Sequence, residues 1–272
     1  MIQTSTVERW LTEDLGHHDV TNQIPGETTG RLVAKEAGVV AGIEAATAVF
    51  EYLGVGVEPT AAVGDRIEAG DVVLQVSGQT RDVLRGERVA VNLVGHAAGI
   101  ATLTRDAVDA AREVSDHVRI AATRKTTPGL RGVEKRAVVA GGGDTHRLDL
   151  SHMVMVKDNH VADLGLREAI AHFRERVSFA TKLEVEVERP ADARVAAEAG
   201  ADIVLFDNMA PAQIEPVVTT LPDDVLVEAS GGITVDEVSR YAQTGLDIIS
   251  MGQLTHSAPC LDLSFRTGAE NG

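Results

Sequence analysis

Six short apolar runs recur through the second half of the chain, at residues 118–123, 153–156, 183–187, 202–206, 225–229 and 247–251. Each is strand-sized and rich in Val, Ile and Leu. Amphipathic stretches of helical period separate several of them, near 162–176, 190–199, 211–220 and 234–244. Strand alternating with helix predicts a parallel sheet, either an incomplete barrel or an open doubly wound layer, because six strands fall short of a full eight.

The first hundred residues follow another pattern. Ser5 to Glu8 reads as a capping box opening a helix that ends near Gly16. Strand-like segments cover Gly30–Lys35 and Gly38–Gly42, and a helix spans about Glu44 to Leu53. Between Val63 and Val76, two short strands turn at Gly-Asp pairs, as in half of a biotinyl carrier domain. No modifiable lysine sits at the hairpin, so this motif is structural. A long helix starts near Leu84, with Val89, Leu93, Val94 and Ala97 on one face. Its Gly95 and Gly99 either weaken it or admit another backbone. The change of pattern places a domain boundary at about 100–115, dividing the chain into 1–105, 106–260 and a tail, 261–272.

Composition narrows the function. Forty-one acids oppose 25 bases, a formal charge of −16. Such a surface repels nucleic acid and anionic lipid. No apolar run is long enough to cross a membrane, no basic apolar leader opens the chain, and Cys260 has no partner for a disulfide. Together these predict a cytoplasmic protein. Only five bases are lysines, which with the excess acid suggests adaptation to high salt.

Against that acidic background, clustered cations stand out. Functional side chains of parallel α/β folds sit at the carboxyl ends of strands. Read there, the first run ends in Thr123-Arg124-Lys125 and the second in Lys157-Asp158-Asn159-His160. The third carries Glu184, Glu186 and Glu188 on one strand face. The later three end in Asp207-Asn208, Ser230-Gly231-Gly232 and Gly252-Gln253. Arg124, Lys125, His146, Arg147 and Lys157 suit carboxylate or phosphate recognition. Inward glutamates need a cation beside them, or else a solvated edge strand. The late glycines can cradle a phosphate with backbone N–H groups. Gly141-Gly142-Gly143 lacks the residues of a P-loop and reads as a mobile loop near substrate. His17-His18-Asp19 reads as a surface turn, and Cys260 near His256 as incidental.

Taken together, these segments resemble the quinolinate phosphoribosyltransferase family over nearly the whole chain. The likeness runs through Glu13-Asp14-Leu15-Gly16, Gly86-Glu87-Arg88, the specific run Thr123-Arg124-Lys125-Thr126-Thr127-Pro128-Gly129-Leu130-Arg131, and His146-Arg147. It continues through Lys157-Asp158-Asn159-His160, Glu184-Val185-Glu186-Val187, Asp207-Asn208, Ser230-Gly231-Gly232 and Gly252 to Leu254. Ala98, Arg136 and His18 depart from the family's usual residues without removing a charged group.

The resemblance implies an N-terminal α/β sandwich followed by an incomplete α/β barrel of about six to seven parallel strands. It implies joining quinolinate to phosphoribosyl pyrophosphate, with release of pyrophosphate and carbon dioxide, in NAD biosynthesis. Lys125, Glu186 and Asp207 would be catalytic. Arg88, Thr123, Arg124, His146, Arg147, Lys157, Ser230, Gly231, Gly232, Gly252, Gln253 and Leu254 would help bind substrates. Mg2+ would accompany the pyrophosphate, with no resident metal site. A homodimer would form, Arg88 completing the partner's site. The alternatives are a phosphoribosyltransferase for a related pyridine acid, a barrel sugar-phosphate lyase or aldolase using Lys157 as a Schiff base, and a non-catalytic sensor of a phosphorylated metabolite.

Overall fold

A computed structural model describes residues 2–268 and divides into two compact units. The first takes in residues up to Leu103, Gly132–Gly142 and the chain from Ala258 onward. The second comprises Thr104–Arg131 and Gly143–Ser257.

The first unit opens with α1 (Thr4–Leu15). Gln3 takes its N-cap position and no side chain caps it, so the Ser5–Glu8 capping box does not form. Strands β1 (Glu27–Ala34), β2 (Gly38–Val39), β3 (Gly56–Pro59), β4 (Arg66–Ile67) and β5 (Val72–Gln79) follow, with α2 (Ile43–Tyr52) after β2. α3 runs from Thr80 to Arg112, beginning a turn before the expected Leu84. β1, β5 and β3 pair antiparallel, while β2 pairs with β4 in a separate two-stranded sheet.

The other edge of this sheet is β12 (Leu263–Thr267), paired antiparallel to β1 from Gly30–Thr267 to Ala34–Leu263. Of the expected tail 261–272, of which 269–272 lie outside the described residues, residues 263–267 therefore supply a strand. Their apolar positions explain it: Leu261 and Leu263 are buried with Leu32, Phe50, Leu74 and Val94 in one core, against which Phe265 packs. Phe265 stacks on Phe50 with ring centroids 5.9 Å apart.

Two sequence features resolve inside this unit. A Cβ on Gly99 would overlap the Pro259 carbonyl, so Gly99 lets another backbone lie against α3. Asp19, read as part of a surface turn, accepts from Arg85 at 2.7 Å and from the backbone N–H groups of Thr21 and Asn22. The Arg85 bond and then these backbone donors hold its carboxyl far below the usual carboxylate range.

The second unit carries a parallel sheet of β6 (Arg119–Ala122), β7 (Val154–Val156), β8 (Leu183–Val187), β9 (Ile203–Asp207), β10 (Leu226–Ser230) and β11 (Ile248–Met251). All six predicted strands are present. Their order is β6-β11-β10-β9-β8-β7. Each strand from β7 to β11 neighbours the next in sequence, and β11 returns to β6. This is the winding of a barrel rather than of a doubly wound sheet, whose order reverses at a switch point. A bridge from Ala121 to Asp144 extends the ladder beyond β6. Among the described residues no pairing joins Asp144 to β7, so the barrel is incomplete.

The helices α5 (Asp158–Leu164), α6 (Leu166–Arg174), α7 (Pro190–Glu198), α8 (Pro211–Val218) and α9 (Val235–Ala242) alternate with these strands. They bury small and branched side chains, among them Ala169, Ile170, Ala193, Ala196, Ile214 and Val238. With so few aromatics, small and branched side chains fill this core. Two further helices, α4 (Arg131–Ala140) and α10 (Gln253–His256), carried no clear periodic signal. α4 is atypical because Glu134 and Lys135 are buried along with Val133, Ala137 and Val138.

Candidate active site

The strand pleat builds the site. Successive strand side chains face opposite sides, so residues two apart share a face. In β8, Val185 and Val187 are buried on one face, leaving Glu184 and Glu186 on the other. The ladder sets Glu186 beside Leu205, Leu205 beside Glu228, and Asp207 beside Ser230. The outward alternates, Val204, Phe206, Val227 and Ala229, are all buried. Inward positions are thus free to be polar.

They line a cavity of about 420 Å³ whose wall includes Thr123, Arg124, Lys125, His146, Arg147 and Lys157. Its lining also includes Glu186, Asp207, Glu228, Ser230, Gly231 and Gly232. Its size suits a small aromatic acid beside a phosphorylated sugar.

Local bonds fix the cations. The Lys125 backbone N–H donates to Thr123 Oγ1 at 3.1 Å, and its carbonyl accepts from Thr255 Oγ1 at 2.7 Å. His146 adopts a positive φ of 50°, held by its own N–H donating to Asp144 Oδ1 at 2.8 Å. Asp144 is itself pinned by its N–H bond to the Ile120 carbonyl at 2.7 Å. The strained backbone turns the imidazole toward the strands, where Nε2 lies 3.1 Å from Glu228. Arg147 sits 3.0 Å from the Met155 sulfur. Burial, then the neighbouring Arg124, pushes its guanidinium below its ordinary value. Arginine nonetheless stays charged in proteins. The Arg124 Nε is buried without a hydrogen-bond acceptor. Such an orphaned donor beside a second guanidinium suits an incoming anion.

Lys157, at the β7 end, pairs with Glu186. That is the geometry of a held ammonium, not of the free amine that a Schiff base requires. Asp207 closes β9, with Asn208 donating to it at 2.6 Å. Asn208 lies at φ 53° and donates its N–H to the Ser230 carbonyl at 2.9 Å. This brings its backbone so close to Gly231 that a Cβ there would meet Asn208 N at 2.6 Å. Gly231 itself has φ 108°, which L side chains rarely adopt.

Four expected residues lie off the cavity wall. Gly252 stands directly behind Lys125, where an added Cβ would meet Lys125 Cδ at 3.0 Å. Leu254 is buried and Gln253 half-buried on α10. Arg88 is an exposed α3 residue of the first unit, 3.9 Å from Glu87. Conversely, Glu184, Glu228, Asn208, Met155 and Ser250 belong to the site or its floor but were not singled out as binding residues. Glu228 had a readable signal, a lone carboxylate between Val227 and Ala229 in a buried strand. Glu184 was read against an edge-strand alternative. β7 forms that edge instead, and Glu184 is fully buried.

Fold and site together define a barrel enzyme whose cationic pocket takes anionic, phosphorylated substrates. Family models agree over almost all of the chain. The quinolinate phosphoribosyl transferase C-terminal domain matches residues 100–266 and the N-terminal domain residues 18–98. The chain belongs to the quinolinate phosphoribosyl transferase family. It is 46% identical over 269 residues to a probable nicotinate-nucleotide pyrophosphorylase [carboxylating] of Methanothermobacter thermautotrophicus, covering 95% of this chain and 96% of that protein. The human nicotinate-nucleotide pyrophosphorylase [carboxylating] is 41% identical, with 97% and 91% covered. The crystal structure of NadC from Streptococcus pyogenes superposes with a TM-score of 0.91 at 40% identity, over 97% of this chain and 95% of that one.

Proposed function

We infer that this chain is a decarboxylating quinolinate phosphoribosyltransferase. It joins quinolinate to phosphoribosyl pyrophosphate, giving nicotinate mononucleotide, pyrophosphate and carbon dioxide for NAD biosynthesis. The observation that carries this assignment is the convergence of Arg124, His146, Arg147 and Lys157 on one cavity of an otherwise acidic protein. A pyridine with two carboxylates needs several fixed cations; a monoacid needs fewer.

Arg124, His146 and Arg147 hold the carboxylates, and Lys125 and Lys157 meet phosphate oxygens. Gly231 and Gly232 receive the 5′-phosphate through backbone N–H groups. Magnesium enters as part of the substrate, on its pyrophosphate. As pyrophosphate departs, positive charge grows at the ribose C1, and the carboxylates of Glu186 and Asp207 stabilise it. The ring nitrogen bonds to C1 and becomes cationic, so it stabilises the electron pair left on the adjacent ring carbon as carbon dioxide departs. The surrounding cations help to stabilise that carbanion, a proton from water then takes up the pair to give the mononucleotide, and no organic cofactor is required. Arg88 supports a homodimer in which it reaches the partner's site, consistent with its exposure in the single chain.

The deciding experiment incubates the protein with phosphoribosyl pyrophosphate, Mg2+ and either quinolinate or nicotinate. Quinolinate should give mononucleotide and carbon dioxide in equal amounts. Turnover of nicotinate alone would overturn the assignment.

A further inference from the structure

Two buried carboxyls stand behind His146 with no part in the chemistry above. Glu184 on β8 and Glu228 on β10 are 0% and 1% exposed. His146 Nε2 lies 3.1 Å from Glu228 Oε2 and 3.4 Å from Glu184 Oε2. The bond to Glu228 meets hydrogen-bond geometry, whereas both oxygens of Glu184 lack any hydrogen-bond partner. Two full negative charges this close, one of them unsolvated on both oxygens, are a costly arrangement.

The charged groups facing Glu184 are Glu228 from β10, Glu186 from its own strand, Lys157 from the end of β7, and Arg147 and His146 from the segment after Asp144. Arg124 adjoins Arg147 from the end of β6. β9 contributes the apolar Leu205 in register with Glu228, and β11 contributes the uncharged Ser250. Burial, then Glu228, raises the Glu184 carboxyl well above its ordinary value.

We propose that Glu184 and Glu228 form a carboxyl pair carrying one negative charge, which positions His146 and sets the net charge of the acid-binding pocket. Glu184 is the neutral member and Glu228 the charged one. With Nε2 committed to Glu228, Nδ1 is the ring atom left to donate to a substrate carboxylate. A ring donating from both nitrogens is an imidazolium. Five cations, Arg124, Lys125, His146, Arg147 and Lys157, then face three carboxylates, Glu186, Asp207 and Glu228. The excess of two matches a dianionic acid. Ionising Glu184 would halve it. The pair's role depends on the assignment of His146 to the pyridine acid.

Three measurements test this. A difference infrared spectrum at neutral pH, wild type minus Glu184→Gln, should show the carbonyl stretch of a protonated carboxylic acid. In wild type alone, that band should bleach on raising the pH. A carboxylate band in its place overturns the one-charge pair. Glu228→Gln should raise the quinolinate KM by about tenfold or more and leave the phosphoribosyl pyrophosphate KM within about twofold. Equal shifts in both constants, or none, overturn the positioning role. His146→Ala separates the two levels of inference. If it leaves the quinolinate KM unchanged, the substrate assignment of His146 fails. If it raises that KM while Glu228→Gln does not, only the carboxyl pair fails.

Discussion

At the residue scale, the site is decided by which charges are buried and what faces them. Arg124 and Arg147 are the clearest case, two guanidiniums crowded together with one Nε lacking any acceptor. Replacing either by Ala should weaken quinolinate binding by about 2–5 kcal/mol, measurable as the quinolinate Kd or KM. Asp207→Asn should act differently. Its charge matters most as positive charge grows at C1, so kcat should fall by about tenfold or more while substrate KM values change little. Single residues were also where the sequence was most legible. Arg124, Lys125, Lys157, Glu186 and Asp207 follow from reading strand ends, His146 and Arg147 from the clustering of cations in an acidic chain, and all line one cavity. Glu184 and Glu228 were harder to place. A carboxylate alternating with valine looks the same on a wetted edge strand and on the floor of a barrel. Only the sheet order tells them apart.

At the element scale, the six strands and most intervening helices were legible because each shows a short run of mostly apolar, β-branched residues or a clear helical period. α4 was not, because it buries Glu134 and Lys135 and so hides its apolar face. The capping box at Ser5 failed because the helix starts a residue before it. The β10–α9 loop makes a sharp prediction. Gly231→Ala forces an L side chain to φ 108° against the Asn208 backbone, a strain of about 1–3 kcal/mol. The phosphoribosyl pyrophosphate KM should rise, with the quinolinate KM less affected. Asp19 gives an acid-side prediction. A carboxyl depressed in the folded state contributes stability above its unfolded value, about pH 4, and loses it as pH falls further. Asp19→Asn should therefore lower the Tm at pH 7, with the gap from wild type narrowing as the pH falls below about 4 but still open near about pH 3.

At the scale of the whole molecule, a formal charge of −16 surrounds a pocket built from cations. Self-repulsion among surface acids is screened by salt, with a Debye length falling from about 10 Å at 0.1 M to about 3 Å at 1 M. The Tm should accordingly rise between those concentrations of KCl, and calorimetry would show it; a flat or falling Tm would argue against adaptation to high salt. No helix is long and apolar enough to cross a membrane among the described residues. What the sequence concealed at this scale was the destination of residues 261–267. β12 pairs along β1, and Leu261 and Leu263 enter the core beside Phe50. During synthesis, then, the unit begun first is finished last. Its sheet edge at β1 stays bare, and part of its core stays open, until Thr267 has emerged from the ribosome. A nascent chain stalled before Leu261 should expose that edge to proteases and chaperones even though more than two hundred residues have already been made.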